Sequence, residues 1–79
     1  MKYNSVQIGE LVRRTRVHLG LTQESLAFAA GTGIRFIIEL ESGKPTCQLQ
    51  KTLTVLNALG IQIIFKPPFA DPGYGVTRE

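Results

Sequence analysis

Nothing inside this chain can staple it. Its 79 residues include one cysteine, Cys47, and one histidine, His18. An intramolecular disulfide needs two cysteines, and a zinc site needs more Cys/His ligands than one chain offers here. A chain this short buries only about 60% of the surface its unfolded form exposes, so one small core must hold it. Domains of this size find the missing stability in disulfides, metals or a partner subunit. Only the partner is left.

Composition narrows the class. Hydrophobic residues make up 43% of the chain and charged residues 19%, which is too apolar for a disordered polypeptide. No apolar run approaches the roughly 20 residues of a membrane span. Residues 1–10 lack the apolar stretch of a secretory signal. The expectation is a cytoplasmic protein with a reduced Cys47, inert in a loop, and a surface His18. Enzyme chemistry is poorly supplied, with no Cys/His nucleophile pair, phosphate-cradling glycine loop or paired carboxylates. No catalytic residue, metal site or cofactor is expected. Residues 1–66 carry Lys2, Arg13, Arg14, Arg16, Arg35, Lys44, Lys51 and Lys66 against Glu10, Glu24, Glu39 and Glu41, a net +4. The last thirteen residues carry −1, from Arg78 against Asp71 and Glu79. A basic folded part suits a polyanionic partner.

Periodicity gives four helices. Ile8, Leu11, Val12, Thr15 and Leu19 recur at helical spacing over residues 5–19, with Asn4 or Ser5 as cap and Gly20 as stop. Thr22 caps a short second helix whose apolar stripe is Leu26, Ala27 and Ala30, ending at Gly31. Residues 34–41 form a third, with Ile37 and Leu40 placed for the core and Ile34, Ile38 and Phe36 adding apolar surface. Leu49, Leu53, Leu56 and Leu59 mark a fourth, closed by Gly60. Residues 61–66 differ: Ile61, Ile63 and Phe65 alternate, and Pro67-Pro68 follow, so the segment reads as a β-strand. A lone strand leaves its N–H and C=O rows unpaired, and its own copy in a two-fold dimer is the natural mate. Ile61, Ile63, Ile64 and Phe65 are the expected dimerisation residues. Residues 67–79, rich in proline and glycine, read as a flexible tail.

Two short helices joined by Gly31-Thr32-Gly33 match a helix-turn-helix, whose second helix enters the major groove. Gly20-Leu-Thr-Gln-Glu-Ser-Leu-Ala-Phe-Ala-Ala-Gly31 followed by Phe36-Ile-Ile-Glu-Leu-Glu-Ser-Gly-Lys44 resembles the XRE family, the helix-turn-helix of lambdoid phage repressors. The likeness covers about residues 6–60. Glu39-Leu-Glu-Ser-Gly-Lys-Pro-Thr, then Leu53-x-x-Leu-x-x-Leu-Gly60 and an immediate strand, resembles the HipB-like antitoxins. That resemblance implies a mainly α, four-helix, lambda repressor-like domain over residues 1–66. Its C-terminal strand (61–66) would pair across a homodimer. It also implies a repressor that binds double-stranded operator DNA with two half-sites, autoregulates its operon and binds a HipA-type kinase toxin.

Roles carry over by position. The resemblance implies that Gln23 braces the third helix and touches phosphate, with Thr22 beside it. Thr32, Ile34 and Arg35 fall at base-reading positions, and Glu39 at another groove-facing one. Ser42 and Lys44 match backbone contacts, and Arg16 pairs with Glu41. The chain departs from the family where Gly33 replaces the usual Ser or Thr cap, and where Ile34 and Ile38 are apolar. An isoleucine can touch a thymine methyl but cannot make the bidentate bonds that discriminate bases, so Arg35 is the best specific contact. Two alternatives stay open. One is an interaction module that neutralises a partner protein without significant DNA binding, and the other is a plain XRE regulator without a toxin.

Overall fold

The computed structural model describes residues 4–45 and 48–69. Cys47 and residues 70–79 of the expected tail lie outside the described residues. Four helices follow one another: α1 (Ser5–His18), α2 (Gln23–Ala30), α3 (Ile34–Glu41) and α4 (Leu49–Ala58).

Local chemistry sets the helix ends. The Asn4 side chain accepts from the Gln7 N–H at 2.9 Å, and the Gln7 side chain accepts from the Asn4 N–H at 3.2 Å. Thr22 and Ser25 make the same reciprocal box at the start of α2, both bonds at 2.9 Å. Each box satisfies donors that the first helical turn leaves orphaned. At the far end of α2, Gly31 sits at φ 71°, a left-handed conformation that costs a residue with a Cβ about 1–2 kcal/mol. The turn lets the Thr32 N–H reach back to the Ala27 carbonyl at 2.9 Å, closing the helix while turning the chain toward α3. The same closure recurs at Leu21, Lys44 and Ile61.

Each helix contributes one side chain that is wholly buried: Val12, Leu26, Ile37 and Val55. Ala27, Ala30, Leu40, Leu56 and Leu59 complete the core. α3 packs on α1 and α2, and α4 packs on α2. Truncating a residue such as Leu26 to alanine removes about 2–5 kcal/mol, a large share of a small domain's stability.

Three expectations change. Leu49 is 72% exposed at the start of α4, and the wholly buried place on that helix falls to Val55, which lies off the expected stripe. Leu11 and Leu19 do not join the core; they are 39% and 50% exposed. The buried face of α1 runs instead through Gly9 and Val12. Gly9 is the reason: a Cβ there would collide with the Leu40 carbonyl oxygen and lie 3.0 Å from that of Glu41. The missing side chain lets the end of α3 press against α1 and turns Leu11 outward. The expected strand is also absent: among the described residues there is no β-strand, and residues 61–67 have no regular structure. A ladder needs two strands, and one copy of this chain supplies a single candidate. Ile61 and Ile63 nonetheless pack against the core, while Ile64 and Phe65 face outward at 58% and 68% exposure.

Candidate nucleic-acid interface

A part-buried polar knot fixes α2 and α3 relative to α1. Arg16, 12% exposed, meets Glu41, 4% exposed, with Nε to Oε2 at 2.6 Å. Its Nη2 donates to Glu41 Oε1 at 3.1 Å, and Nη1 donates to the Leu21 carbonyl at 2.9 Å. Gln23, the first residue of α2, donates from Nε2 to the same Glu41 Oε1 at 3.1 Å. One carboxylate thus accepts from two elements, and one guanidinium holds both that carboxylate and the chain entering α2. Such charge-assisted, two-point bonds are stronger than neutral ones and fix orientation as well as distance.

With α3 held this way, its inner face carries Ile37 and Leu40, and its outer face carries Ile34, Arg35, Ile38 and Glu39. Positions three and four apart stack on one side of a helix, so Ile34 stands above Ile38, and Arg35 above Glu39. Ile34 and Ile38 are 44% and 43% exposed, so the apolar stripe of this helix is split between the core and the solvent. Arg35 is exposed, and among the described residues it has no ion-pair partner. Gly33 caps α3 by backbone alone, with no side-chain bond.

The loop after α3 is organised around Glu39. The Ser42 hydroxyl donates to its carbonyl at 2.8 Å, and the Lys44 N–H donates to it at 3.1 Å. Lys44 Nζ lies 3.3 Å from Glu39 Oε2. This pair is partly exposed and contributes little to stability, but it offsets a negative charge on the outward face. Thr32 is half-buried in the turn, with its hydroxyl donating to the Gly33 carbonyl at 3.3 Å. Thr22 is exposed, and its hydroxyl is engaged with Ser25. Arg35, Glu39, Ser42, Lys44, Ile34 and Thr32 therefore cluster on α3 and its two flanking loops, whereas Gln23 is turned toward Glu41.

Two features carried no signal in the sequence pattern. Phe28 projects from α2 at 89% exposure, although its neighbours Ala27 and Ala30 are core. Lys51 on α4 lies 5.8 Å from the centre of the Phe36 ring, within cation–π range. Among the described residues no three His, Cys, Asp or Glu side chains converge as a metal site, and no helix is long and apolar enough to cross a membrane.

Comparison with known proteins decides the family. A curated relative from Sinorhizobium fredii, described as "Uncharacterized HTH-type transcriptional regulator y4mF", is 51% identical over 61 residues, covering 77% of this chain and 80% of that protein. The chain belongs to the HTH-type transcriptional regulators. No protein-family model matches it. The regulator also matches the crystal structure of the restriction-modification controller protein C.AhdI from Aeromonas hydrophila. They share 33% identity with a TM-score of 0.67, over 73% of this chain and 88% of that one. HipB, in a HipB–O4 20mer complex and in a HipA–HipB–O2–O3 complex, matches at a TM-score of 0.76 and 20% identity. Those matches cover 87% of the regulator and 97% of HipB. At that identity the likeness to HipB is one of fold. The first of these is described as a transcriptional regulator and the second as a controller protein, and neither as an enzyme.

Proposed function

We propose that this regulator is a dimeric operator-binding repressor that places α3 in the major groove, and that it acts as a HipB-like antitoxin. The observation that carries the DNA reading is the outward face of α3, where Arg35, without an ion-pair partner among the described residues, stands beside a stripe of two exposed isoleucines on a helix clamped from behind by Arg16 and Glu41. Arg35 is the base-reading donor, suited to the O6 and N7 of guanine. Thr32 and Ile34 approach the bases beside it. Ser42 and Lys44, and Thr22 with Gln23 at the start of α2, meet phosphates, where helix N-termini also favour anions. Gln23 does so while bonded to Glu41, so its contact and its bracing role belong to one arrangement.

Residues 1–66 are the working domain, and residues 61–66 are its dimerisation segment. Ile64 and Phe65 leave apolar surface uncovered, continuous with a groove of about 370 Å³ between α1, α4 and that segment, lined by Leu11, Leu49 and Leu53 among others. A second copy pairing strand to strand through Ile61, Ile63, Ile64 and Phe65 would cover it and set two α3 helices about one DNA turn apart, roughly 34–36 Å. The toxin partner, a HipA-type kinase, is supported by the fold shared with HipB and by HipB's own complex with HipA.

The test is binding of the full chain to duplex DNA from immediately upstream of its own gene. Affinity should fall linearly with salt on a log–log plot. Arg35→Ala should lose about 1–3 kcal/mol at that site with little change on random DNA. Equal affinity of the variant and the parent at matched salt overturns the assignment of Arg35. Co-expression with a kinase-like neighbour gene separates antitoxin from plain regulator: a stable complex supports the first, and two separately eluting proteins the second.

A further inference from the structure

Resting on the DNA reading above, we propose that Ile34 and Ile38 are a pair of methyl readers. They would make the regulator respond to the C5-methyl group of a pyrimidine at two positions in each half-site. They would not distinguish thymine from 5-methylcytosine.

The argument begins with placement. Isoleucine is a costly residue to leave in water, and α3 leaves two of them 44% and 43% exposed while burying Ile37 and Leu40 on the opposite side. Both belong to the helix that the motif sends into the groove, Ile34 at its first residue and Ile38 one turn on. The N-terminal part of such a helix is what reaches base edges. Their occupant is constrained by what lies beside them. Arg35 is exposed and has no ion-pair partner among the described residues, so whatever covers the isoleucines must also accept hydrogen bonds from a cation. The major groove offers that combination, with guanine acceptors and, in the same layer, the C5 methyl of thymine, its one apolar group.

Spacing fits as well. Four residues of helix rise about 6 Å, close to two base-pair steps of about 3.4 Å each. Two methyls that far apart can meet two isoleucines while Arg35, on the adjacent stripe, addresses a neighbouring base edge. An isoleucine makes no hydrogen bond, so it does not sense whether the neighbouring ring atom carries the O4 acceptor of thymine or the N4 donor of cytosine. It senses only the methyl. Thymine and 5-methylcytosine therefore fall in one class at these positions, and uracil and cytosine in the other.

The experiment starts from the site that the full-length protein selects out of a random duplex pool. Each thymine is then replaced singly by uracil, and affinity is measured at fixed salt. Two positions per half-site should weaken by roughly fourfold each, the effect of one methyl returned to water. At those positions a 5-methylcytosine·guanine pair should bind more tightly than cytosine·guanine by a similar factor. Ile34→Ala should abolish the effect at one position and Ile38→Ala at the other. Both side chains are exposed, so an unchanged melting temperature checks the fold. Uracil tolerated everywhere by a protein that still binds its selected site overturns the methyl readers and leaves the DNA reading standing. Sensitivity that persists in both variants overturns them too. No salt-dependent binding to any duplex overturns both readings. If the two variants instead lose a co-purifying protein and keep full DNA affinity, the face belongs to a protein partner and the inference fails.

Discussion

Arg16 and Glu41 are 25 residues apart in the chain and meet at 2.6 Å with both side chains nearly out of solvent. The same carboxylate accepts from Gln23, and the same guanidinium donates to the Leu21 carbonyl. Three elements converge on one ion pair, and the angle at which α3 presents its outer face depends on it. Arg16→Ala leaves a buried carboxylate with one neutral donor. Removing one partner of a buried pair costs about 3–5 kcal/mol, comparable to the whole stability of a small domain. Thermal unfolding should show a partly unfolded variant at 25 °C. Glu41→Gln, which keeps an acceptor for Gln23, should lose less. Equal melting temperatures for Arg16→Ala and the parent would show that the knot is dispensable.

Gly9→Ala tests the close approach of α1 and α3. The added Cβ meets the backbone oxygens of Leu40 and Glu41, and backbone cannot swing aside as a side-chain tip would. The helices must separate, at a cost of about 1–3 kcal/mol. Alanine normally stabilises a helix by about 1 kcal/mol relative to glycine, so the sign of the effect is decisive. A higher melting temperature would contradict the packing described for this corner.

Gly9 also shows where reading the sequence stops. The helices were legible because each carries its own punctuation: Asn4 and Thr22 before, Gly31 and Gly60 after, and apolar spacing between. The turn and the outward placement of Arg35 followed from the motif. The exposure of Leu11 and Leu19 did not, because periodicity names an apolar stripe but not which part of it meets a neighbour. For Leu11 the deciding contact is made by a residue with no side chain, while Leu19 lies past the last turn of α1. For Arg16 and Glu41 periodicity gave nothing; their pairing came only from the resemblance. The strand is a third kind of case. Alternation in residues 61–66 states a preference, and hydrogen-bonded pairing requires another chain.

Gly33→Ser should stabilise the protein. The position has φ −80° and ψ 157°, ordinary for an N-cap, and a Cβ there meets nothing within 4 Å. A serine hydroxyl can accept an orphan N–H of α3, worth a few tenths of a kcal/mol over glycine, and the loss of glycine's freedom in the unfolded chain adds about 0.4–1 kcal/mol. A rise of roughly 4–8 °C per kcal/mol is expected for a domain of this size. A fall in melting temperature would mean that the turn needs glycine for another reason.

The salt dependence should be shallow. Arg16 is committed to Glu41, and Lys44 shares its charge with Glu39. Arg35 is committed to base edges, so each protomer brings Lys44 to phosphate, about two cations per dimer, for a log–log slope near −2. Lys44→Gln should flatten that slope by about one per protomer while leaving sequence preference intact. A slope of about −4 or steeper would place Arg13, Arg14 or Lys51 on phosphate as well.

The dimer is tested at Ile64, which is 58% exposed and so can be changed without opening the core. Ile64→Asp puts a charge where a second copy would pair, and two such charges face each other across a two-fold axis. Sedimentation should show the parent as a dimer and the variant as a monomer with unchanged helical content. DNA affinity should then drop by about 10²–10⁴-fold, the advantage of binding two linked half-sites at once. Ile63→Pro removes a ladder N–H and should weaken the dimer in the same direction, though Ile63 also packs on the core and its loss will lower the melting temperature. A parent protein that stays monomeric at high concentration overturns the pairing outright. A variant that stays dimeric moves the interface away from residues 61–66. In either case the uncovered surface of Leu11, Leu49 and Phe65 would need a different occupant.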